Sequence, residues 1–286
     1  MEILERLEKP DFKATKSDKI LIEYIKNNLL DVAYKSISQI AKENNIGEAT
    51  ITRFARKIGF HSLQDFKVTL AKEVSSNSNR NIINNSIEND ESAIETAKKL
   101  LNSNINILTK TVDLINSEDI HKCANLIIKA KRIYFIGIGY SGIIAQDSNY
   151  KFMRIGLNCV YFDSSHTMIM MSSIMEKGDL VIAISHSGET EEIIKTVELA
   201  KENGVSIISI TENKESELKE IFDINLSYIS GETVLETGSI SSKLAQIFLI
   251  DTVYTQVVKA DFNKSLNTKI KTTNAIKLSK EIGVKI

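Results

Sequence analysis

The sequence predicts an α/β protein overall: an all-α N-terminal domain followed by a three-layer αβα domain on a parallel sheet of about five strands. Three observations predict it. Residues 17–74 carry apolar side chains at helical spacing in four short stretches. From residue 132 onward, short Ile- and Val-rich runs alternate with helical patterns, the order of βα units. Those runs are continuously apolar, as in strands covered on both faces of a parallel sheet.

Composition bounds the rest. A chain of 286 residues with 42% hydrophobic residues suits about two domains. The net charge is −1 overall, +2 over residues 1–75 and −3 beyond, so any surface for a polyanion has to be local. Two cysteines, Cys123 and Cys159, without a CxxC or nearby histidine spacing, exclude a disulfide scaffold and a zinc site and suit a reducing compartment. No apolar run approaches the ~20 residues of a membrane helix, and the charged N-terminus lacks an apolar signal core. The expectation is a cytoplasmic protein with no membrane contact and no metal.

In chain order, Ser17 is expected to cap a first helix with a stripe of Leu21, Tyr24, Ile25 and Leu29. Ser36 caps a second, with Ile37, Ile40 and Ala41 inside. A third spans residues 48–58 and stops at Gly59. Ser62 starts a fourth, with Leu63, Phe66, Leu70 and Val74. The first domain thus covers residues 1–77. Residues 75–92 are rich in Ser and Asn and suit a linker. Helical spacing returns at Ile94, Ala97, Leu101, Ile105, Leu108, Val112 and Ile115, so residues 78–120 read as linker and connecting helix. The second domain, residues 121–286, has strands at 133–136, 159–162, 180–185, 206–211 and 224–228, with a last long helix after Ser239.

The second and third helices carry the first chemistry. On the third, Ile51, Phe54, Ala55 and Ile58 share one face, and Ala49, Arg53 and Arg56 share the other, flanked by Thr50, Thr52 and Lys57. A helix with a buried stripe and a Thr/Arg/Lys face fits the DNA major groove, where Arg binds guanine edges and Thr meets methyls or phosphates. Thr50, Thr52, Arg53, Arg56 and Lys57 are the candidate DNA contacts, and Lys35, Lys42 and Lys67 the candidate neutralisers of flanking phosphates. The competing reading is a helical bundle with a solvated charged face. The compact turn Asn44-Asn45-Ile46-Gly47 favours a helix-turn-helix, with Ile46 anchoring it to the core.

Residues 1–77 resemble the N-terminal domain of the RpiR family of bacterial transcription regulators. The matching stretch runs from Ile40-Ala41 through Ala49-Thr50-Ile51, Arg53-Phe54 and Lys57-Ile58-Gly59-Phe60 to Phe66-Lys67. Where the family usually has Ser at the start of the recognition helix, this chain has Gly47, a weaker cap.

Two loops carry the second chemistry. Gly137-Ile138-Gly139-Tyr140-Ser141-Gly142 follows the first strand; alone it is weak, since many folds use G-x-G. No clear acidic residue closes a second strand in the dinucleotide manner, Asp163 being the nearest, so no nicotinamide cofactor is expected. Ser185-His186-Ser187-Gly188-Glu189-Thr190 is stronger: three hydroxyls meet a helix N-terminus at the carboxyl end of a buried strand, where free amides and the helix dipole favour an anion.

That loop is similar to the SIS (sugar isomerase) domain, which binds phosphosugars. The likeness covers about residues 121–260, including Gly137-x-Gly139-x-Ser141, Ala200-Lys201 with Gly204, Ile210-Thr211 and Leu244-Ala245-Gln246 with Ile250-Asp251. By resemblance, Ser141, Ser185, Ser187 and Thr190 hold the phosphate. Ser239, Ser241 and Ser242 close the pocket, and Glu236 accepts from sugar hydroxyls. Lys243 stands where relatives commonly have Arg, keeping the charge without the two-pronged geometry. His186 is a candidate ligand contact and His166 faces the same region; His121 reads as structural, and His61 as a surface residue or phosphate contact.

The resemblances together imply a DNA-binding repressor of carbohydrate-metabolism genes controlled by a phosphosugar, without catalytic residues or cofactor. A homodimer or tetramer would sit on a palindromic operator. The alternative is a sugar-phosphate isomerase, which needs a base beside C1/C2 and an acid for ring opening; Glu236, His166 and His186 are its candidates.

Overall fold

The computed structural model describes residues 2–35, 37–76, 87–88, 90–162, 164–212, 221–230 and 241–281. The chain divides into two compact units, one containing residues 2–103 and the other residues 104–230 and 241–281.

The first unit is helical: α1 (Glu2–Glu8), α2 (Lys16–Asn27), α3 (Leu29–Tyr34), α4 (Ile37–Asn44), α5 (Glu48–Lys57) and α6 (Leu63–Ser76). Helices α1 and α3 go beyond the four expected. In α1 the apolar residues Ile3 and Leu7, one turn apart, are buried, while Leu4 between them is half-buried. The Ile3 amide donates to both carboxylate oxygens of Glu73 on α6 (3.1 and 3.2 Å), which satisfies an amide at the helix start. The core joins Leu21, Ile25, Ile40, Ile51, Phe54, Ala55, Phe66 and Leu70, so the expected stripes of the four helices do face inward.

The cap of α2 is Thr15, not Ser17. Thr15 and Asp18 form a capping box: the Asp18 amide donates to the Thr15 hydroxyl (3.3 Å), and the Thr15 amide donates to the Asp18 carboxylate (2.9 Å). Reciprocal bonding beats a lone hydroxyl two residues later. The expected cap Ser36 lies outside the described residues. The Ser62 hydroxyl accepts from the Asp65 amide (3.0 Å) at the start of α6, as expected.

Asp18 is buried at 1% exposure, and Lys57 of α5 donates to it at 2.8 Å. Burial pushes its carboxyl up, but hydrogen bonds from Lys57 and from Thr15 outweigh that and hold it below its ordinary value. The folded state therefore resists protonation of Asp18 more than the unfolded chain does. Its contribution is complete above the ordinary aspartate value of about 3.9 and is lost as the pH falls through the lower folded value. Asp18→Ala is expected to destabilise the helical unit by about 1–2 kcal/mol at neutral pH, chiefly by loss of the capping box. Urea titrations of both proteins should begin to converge below pH 3.9 or so and draw together as the pH falls through the lower folded value; a constant gap down to acid pH would mean that the charge is not what matters.

Helix α7 (Ala93–Asp113) begins at a second reciprocal cap, with Ser92 and Glu95 bonded amide to side chain (2.9 and 3.4 Å). Its buried face differs from the expected stripe. Ile94, Leu101, Ile105 and Val112 are at least half exposed, while Ile107 and Thr111 are buried. Apolar spacing marked the helix but not the face that packs.

The second unit contains α8 (Ser117–Lys129), β1 (Ile133–Ile136), α9 (Tyr140–Met153), β2 (Cys159–Phe162), α10 (Ser165–Ser172), β3 (Leu180–Ile184), α11 (Glu191–Glu202), β4 (Ser206–Thr211), β5 (Ile224–Ser227), α12 (Ser241–Ala260) and α13 (Phe262–Glu281). The strands form one parallel sheet in the order β2-β1-β3-β4-β5. Strand residues alternate between two cores. Ile133, Phe135, Leu180, Ile182, Ile208 and Ile210 pack with α8, α9 and α12. Tyr134, Ile136, Val181, Ala183 and Ile207 pack with α10 and α11. Strands β1 and β3 are apolar throughout because both faces are covered, while β4, also buried, carries the hydroxyls of Ser209 and Thr211. The outer strands depart from that reading: β2 is only half-buried and β5 alternates. The expected last helix is two helices, because Asp261 ends the first and its carboxylate accepts from the Lys264 amide (3.1 Å) to start the second.

Both cysteines are packed into this unit. Burial pushes the thiols of Cys123 and Cys159 up to about 12. No described helix is long and apolar enough to cross a membrane.

Candidate functional site

Helices α4 and α5 are joined by a turn that the sequence sets locally. Asn45 takes a left-handed conformation (φ 52°), which Asn tolerates better than most residues. The amides of Asn45 and Ile46 donate back to Lys42 and Ala41 (3.3 and 3.0 Å), which closes α4 with a Schellman pattern. Ile46 is partly buried against the helical core and fixes the turn. Gly47 caps α5 in an extended conformation without a side-chain bond, and a Cβ there would meet nothing within 4 Å.

On α5, Ile51, Phe54, Ala55 and Ile58 are buried, while Arg53, Arg56 and Lys57 are exposed and Thr50 and Thr52 are half-buried. Arg53 lies along its own helix, its Nε donating to the Ala49 carbonyl (3.2 Å) and its Nη2 to the Thr50 hydroxyl (3.3 Å). The Thr52 hydroxyl donates to the Glu48 carbonyl (3.3 Å). Lys57 has other work: besides Asp18, its Nζ stands 5.6 Å from the Phe12 ring centre. Two further expected cations are also engaged within the unit, Lys35 by Glu43 at 2.7 Å and Lys67 by burial. Lys42 is exposed.

The second site follows from sheet order. β1 pairs with β2 on one side and β3 on the other, so the chain reverses its direction of growth between β1 and β3. At such a switch point the loops leaving the carboxyl ends diverge to opposite faces and leave a crevice for a ligand. The loops that leave β1 and β3 are those of Gly137–Gly139 and residues 185–190.

The first of these loops is tight by necessity. A Cβ at Gly137 would stand 2.5 Å from the Ser141 carbonyl oxygen, and Gly139 has φ 62° and ψ −129°, a region open to glycine alone without strain. Ser141 is buried in the first turn of α9. Lys243, near the start of α12, places its Nζ 4.6 Å from the ring centre of Tyr140, which brings a cation beside the same turn. Ser241 and Ser242 are buried at the head of α12.

In the second loop the Ser185 hydroxyl accepts from the Gly188 amide (3.2 Å) and lies 3.1 Å from the Thr190 hydroxyl. The Ser187 hydroxyl accepts from the Glu189 amide (3.1 Å) and is exposed. Thr190 is the N-cap residue of α11, yet its side chain makes no capping bond. The first-turn amides of α11 have no intrahelical partner, as in any helix. Two of the predicted hydroxyls, those of Ser185 and Thr190, thus meet just before α11, while that of Ser187 is exposed in the same loop. Glu236, Ser239 and Asp163 lie outside the described residues. His61, His121 and His166 are exposed.

His186 belongs to a chain of polar groups that sequence reasoning missed. Its Nε2 is 3.1 Å from Glu212 Oε2, and its Nδ1 is 2.9 Å from the Tyr228 hydroxyl. Gln246 Nε2 donates to the same hydroxyl (2.8 Å), and the Ser230 amide and hydroxyl donate to Glu212 Oε1 (both 2.8 Å). These residues follow β3, β4 and β5 and lie on α12. The available signal was a polar side chain just past the end of each successive parallel strand.

Comparison with known proteins bears on both sites. Residues 1–77 match the helix-turn-helix domain of the rpiR family, and residues 126–256 match the SIS domain. The chain is 58% identical to an uncharacterized HTH-type transcriptional regulator of Clostridium perfringens, over 96% of this chain and 99% of the relative. It is 27% identical to the HTH-type transcriptional regulator RpiR of Escherichia coli, over 84% and 80%. Its fold matches that of Vibrio vulnificus NanR, solved in complex with ManNAc-6P, with a TM-score of 0.79, 24% identity and coverage of 96% and 97%. A helix-turn-helix head on the same chain as a parallel SIS sheet defines an HTH-type transcriptional regulator with a SIS domain. Within that class the chain belongs to the RpiR family.

Proposed function

We propose that this regulator binds operator DNA through α5 and is controlled by a phosphosugar held between the loops after β1 and β3. The observation that carries the proposal is the hydroxyl-lined loop of residues 185–190, meeting the start of α11 at the switch point of the sheet. Ser141, Ser185, Ser187 and Thr190 hold the phosphate; Glu236, Ser241 and Ser242 complete the pocket. ManNAc-6P, the ligand of the NanR complex, is the first probe to try. The division of labour follows the sequence reading: residues 1–77 read DNA, 78–120 connect, and 121–286 sense.

The chain acts as a cytoplasmic repressor of carbohydrate-metabolism genes, as a homodimer or tetramer on a palindromic operator. Two equal heads require a two-fold site. The SIS domain serves as a sensor. His186 supports that reading, since both its ring nitrogens already face protein groups, Glu212 and Tyr228, rather than a reacting sugar carbon.

Mobility-shift titration with the DNA upstream of the chain's own gene, with and without ManNAc-6P, tests the whole. Arg53→Ala is expected to weaken specific binding by about 1–3 kcal/mol if its guanidinium swings out to a base edge. An unchanged sequence preference in a binding selection would remove Arg53 from base reading. Turnover of a phosphosugar together with no specific shift in low salt would favour the isomerase instead.

A further inference from the structure

The polar chain around His186 continues to the connecting helix. Tyr228 immediately follows β5 and is 1% exposed. The next residue, Ile229, donates its amide to the Thr111 hydroxyl of α7 (3.3 Å), and Thr111 is fully buried. One path of hydrogen bonds therefore runs from the anion loop through His186 and Tyr228, along one peptide, to the last turns of α7. Helix α7 begins in the unit that carries the DNA-reading helix and ends in the unit that carries the sheet.

Two features suit this path to having more than one setting. Glu212 and Gln246 fix the ends of the His186–Tyr228 pair, so a change in the loop of residues 185–190 moves the Tyr228 hydroxyl or breaks its bond. Just past α7 a half-open cleft of about 230 Å³, lined by Leu114, Ile115, Asn116 and Asp119 on one side and by Asn225, Leu226 and Ser227 on the other, lies between the chain leaving α7 and the edge strand β5. This open space leaves the end of α7 room to shift beside β5.

We propose that Tyr228 and Thr111 are positioning residues that transmit occupancy of the anion loop to α7, through the His186–Tyr228 and Ile229–Thr111 hydrogen bonds. This rests on the reading of residues 185–190 as the anion site. A ligand biases α7 only if it binds the two settings differently. The link supplies that difference, because reorienting the loop amides toward an anion changes the place of His186.

Hydrogen exchange on the full chain, with inorganic phosphate and separately with ManNAc-6P, tests the link. In the wild type, ligand is expected to slow exchange at residues 185–190 and to change exchange several-fold at residues 106–113. Thr111→Val keeps the side-chain shape and removes the acceptor; Tyr228→Phe removes the hydroxyl and is the second variant. In both, protection at 185–190 should persist while the response of 106–113 disappears. Equal responses of 106–113 in wild type and both variants would overturn the link. So would a silent α7 in the wild type with residues 185–190 protected, leaving the anion site standing. No protection at 185–190 with either probe would overturn the site, and the link with it.

Discussion

Alanine at both Ser187 and Thr190 is expected to abolish the thermal shift that phosphosugars produce while leaving operator binding intact. Each hydroxyl removed is a hydrogen bond to a charged group, worth about 1.5–3 kcal/mol. Losing two weakens binding by roughly two to four orders of magnitude, beyond detection for a millimolar metabolite. The fold should survive. Thr190 makes no capping bond to α11, and its hydroxyl is 3.1 Å from Ser185, which can still accept from the Gly188 amide. Ser187 is exposed, and its hydroxyl accepts from the Glu189 amide within its own loop. The helix-turn-helix lies in the other compact unit, so affinity for operator without effector is expected to match the wild type. A retained shift with ManNAc-6P or another phosphosugar would place the effector elsewhere.

Gly137→Ala should be the most damaging single methyl group in the sheet-bearing unit. The added Cβ would meet the Ser141 carbonyl oxygen at 2.5 Å, its carbon at 2.6 Å and the Gly142 amide at 2.9 Å. All three are backbone atoms, so no rotamer change relieves the clash, and the first turn of α9 has to move. Overpacking of this kind costs about 1–3 kcal/mol, and shifts Tm by roughly 2–4 °C per kcal/mol in a unit of this size. Differential scanning fluorimetry should show the loss, together with a lost response to phosphosugar because Ser141 moves with the turn. Gly139→Ala makes a useful contrast: there is open space around it, and only its backbone conformation opposes a side chain. A wild-type Tm for Gly137→Ala would show that the loop does not pass so close to Ser141.

The sequence announced what periodicity and turn chemistry determine. The five strands are where the Ile and Val runs lie, and Gly59 and Asn45 end helices where a left-handed residue is required. The placement of residues 185–190 between β3 and α11 was legible, because several hydroxyls and a glycine before a helix mark a turn that meets a helix start. Partners far apart in the chain were not legible. Lys57 reads as a DNA contact from its place on α5, yet Asp18, 39 residues earlier, holds it. The exposed stripe of α7 shows the same limit, since apolar spacing cannot say which face finds a neighbour. Tyr228 and Glu212 meet His186 only because strand order places three loops side by side.

The burial of Cys123 and Cys159 has a practical corollary. Thiols held near 12 carry almost no thiolate at neutral pH, so they react slowly with maleimides and peroxides. Oxidative stress is therefore a poor candidate for switching this regulator through its own sulfur. A cysteine introduced on the outer face of α5 or α7 would accept a fluorophore with little background, and distances between two such dyes could be followed as effector is added.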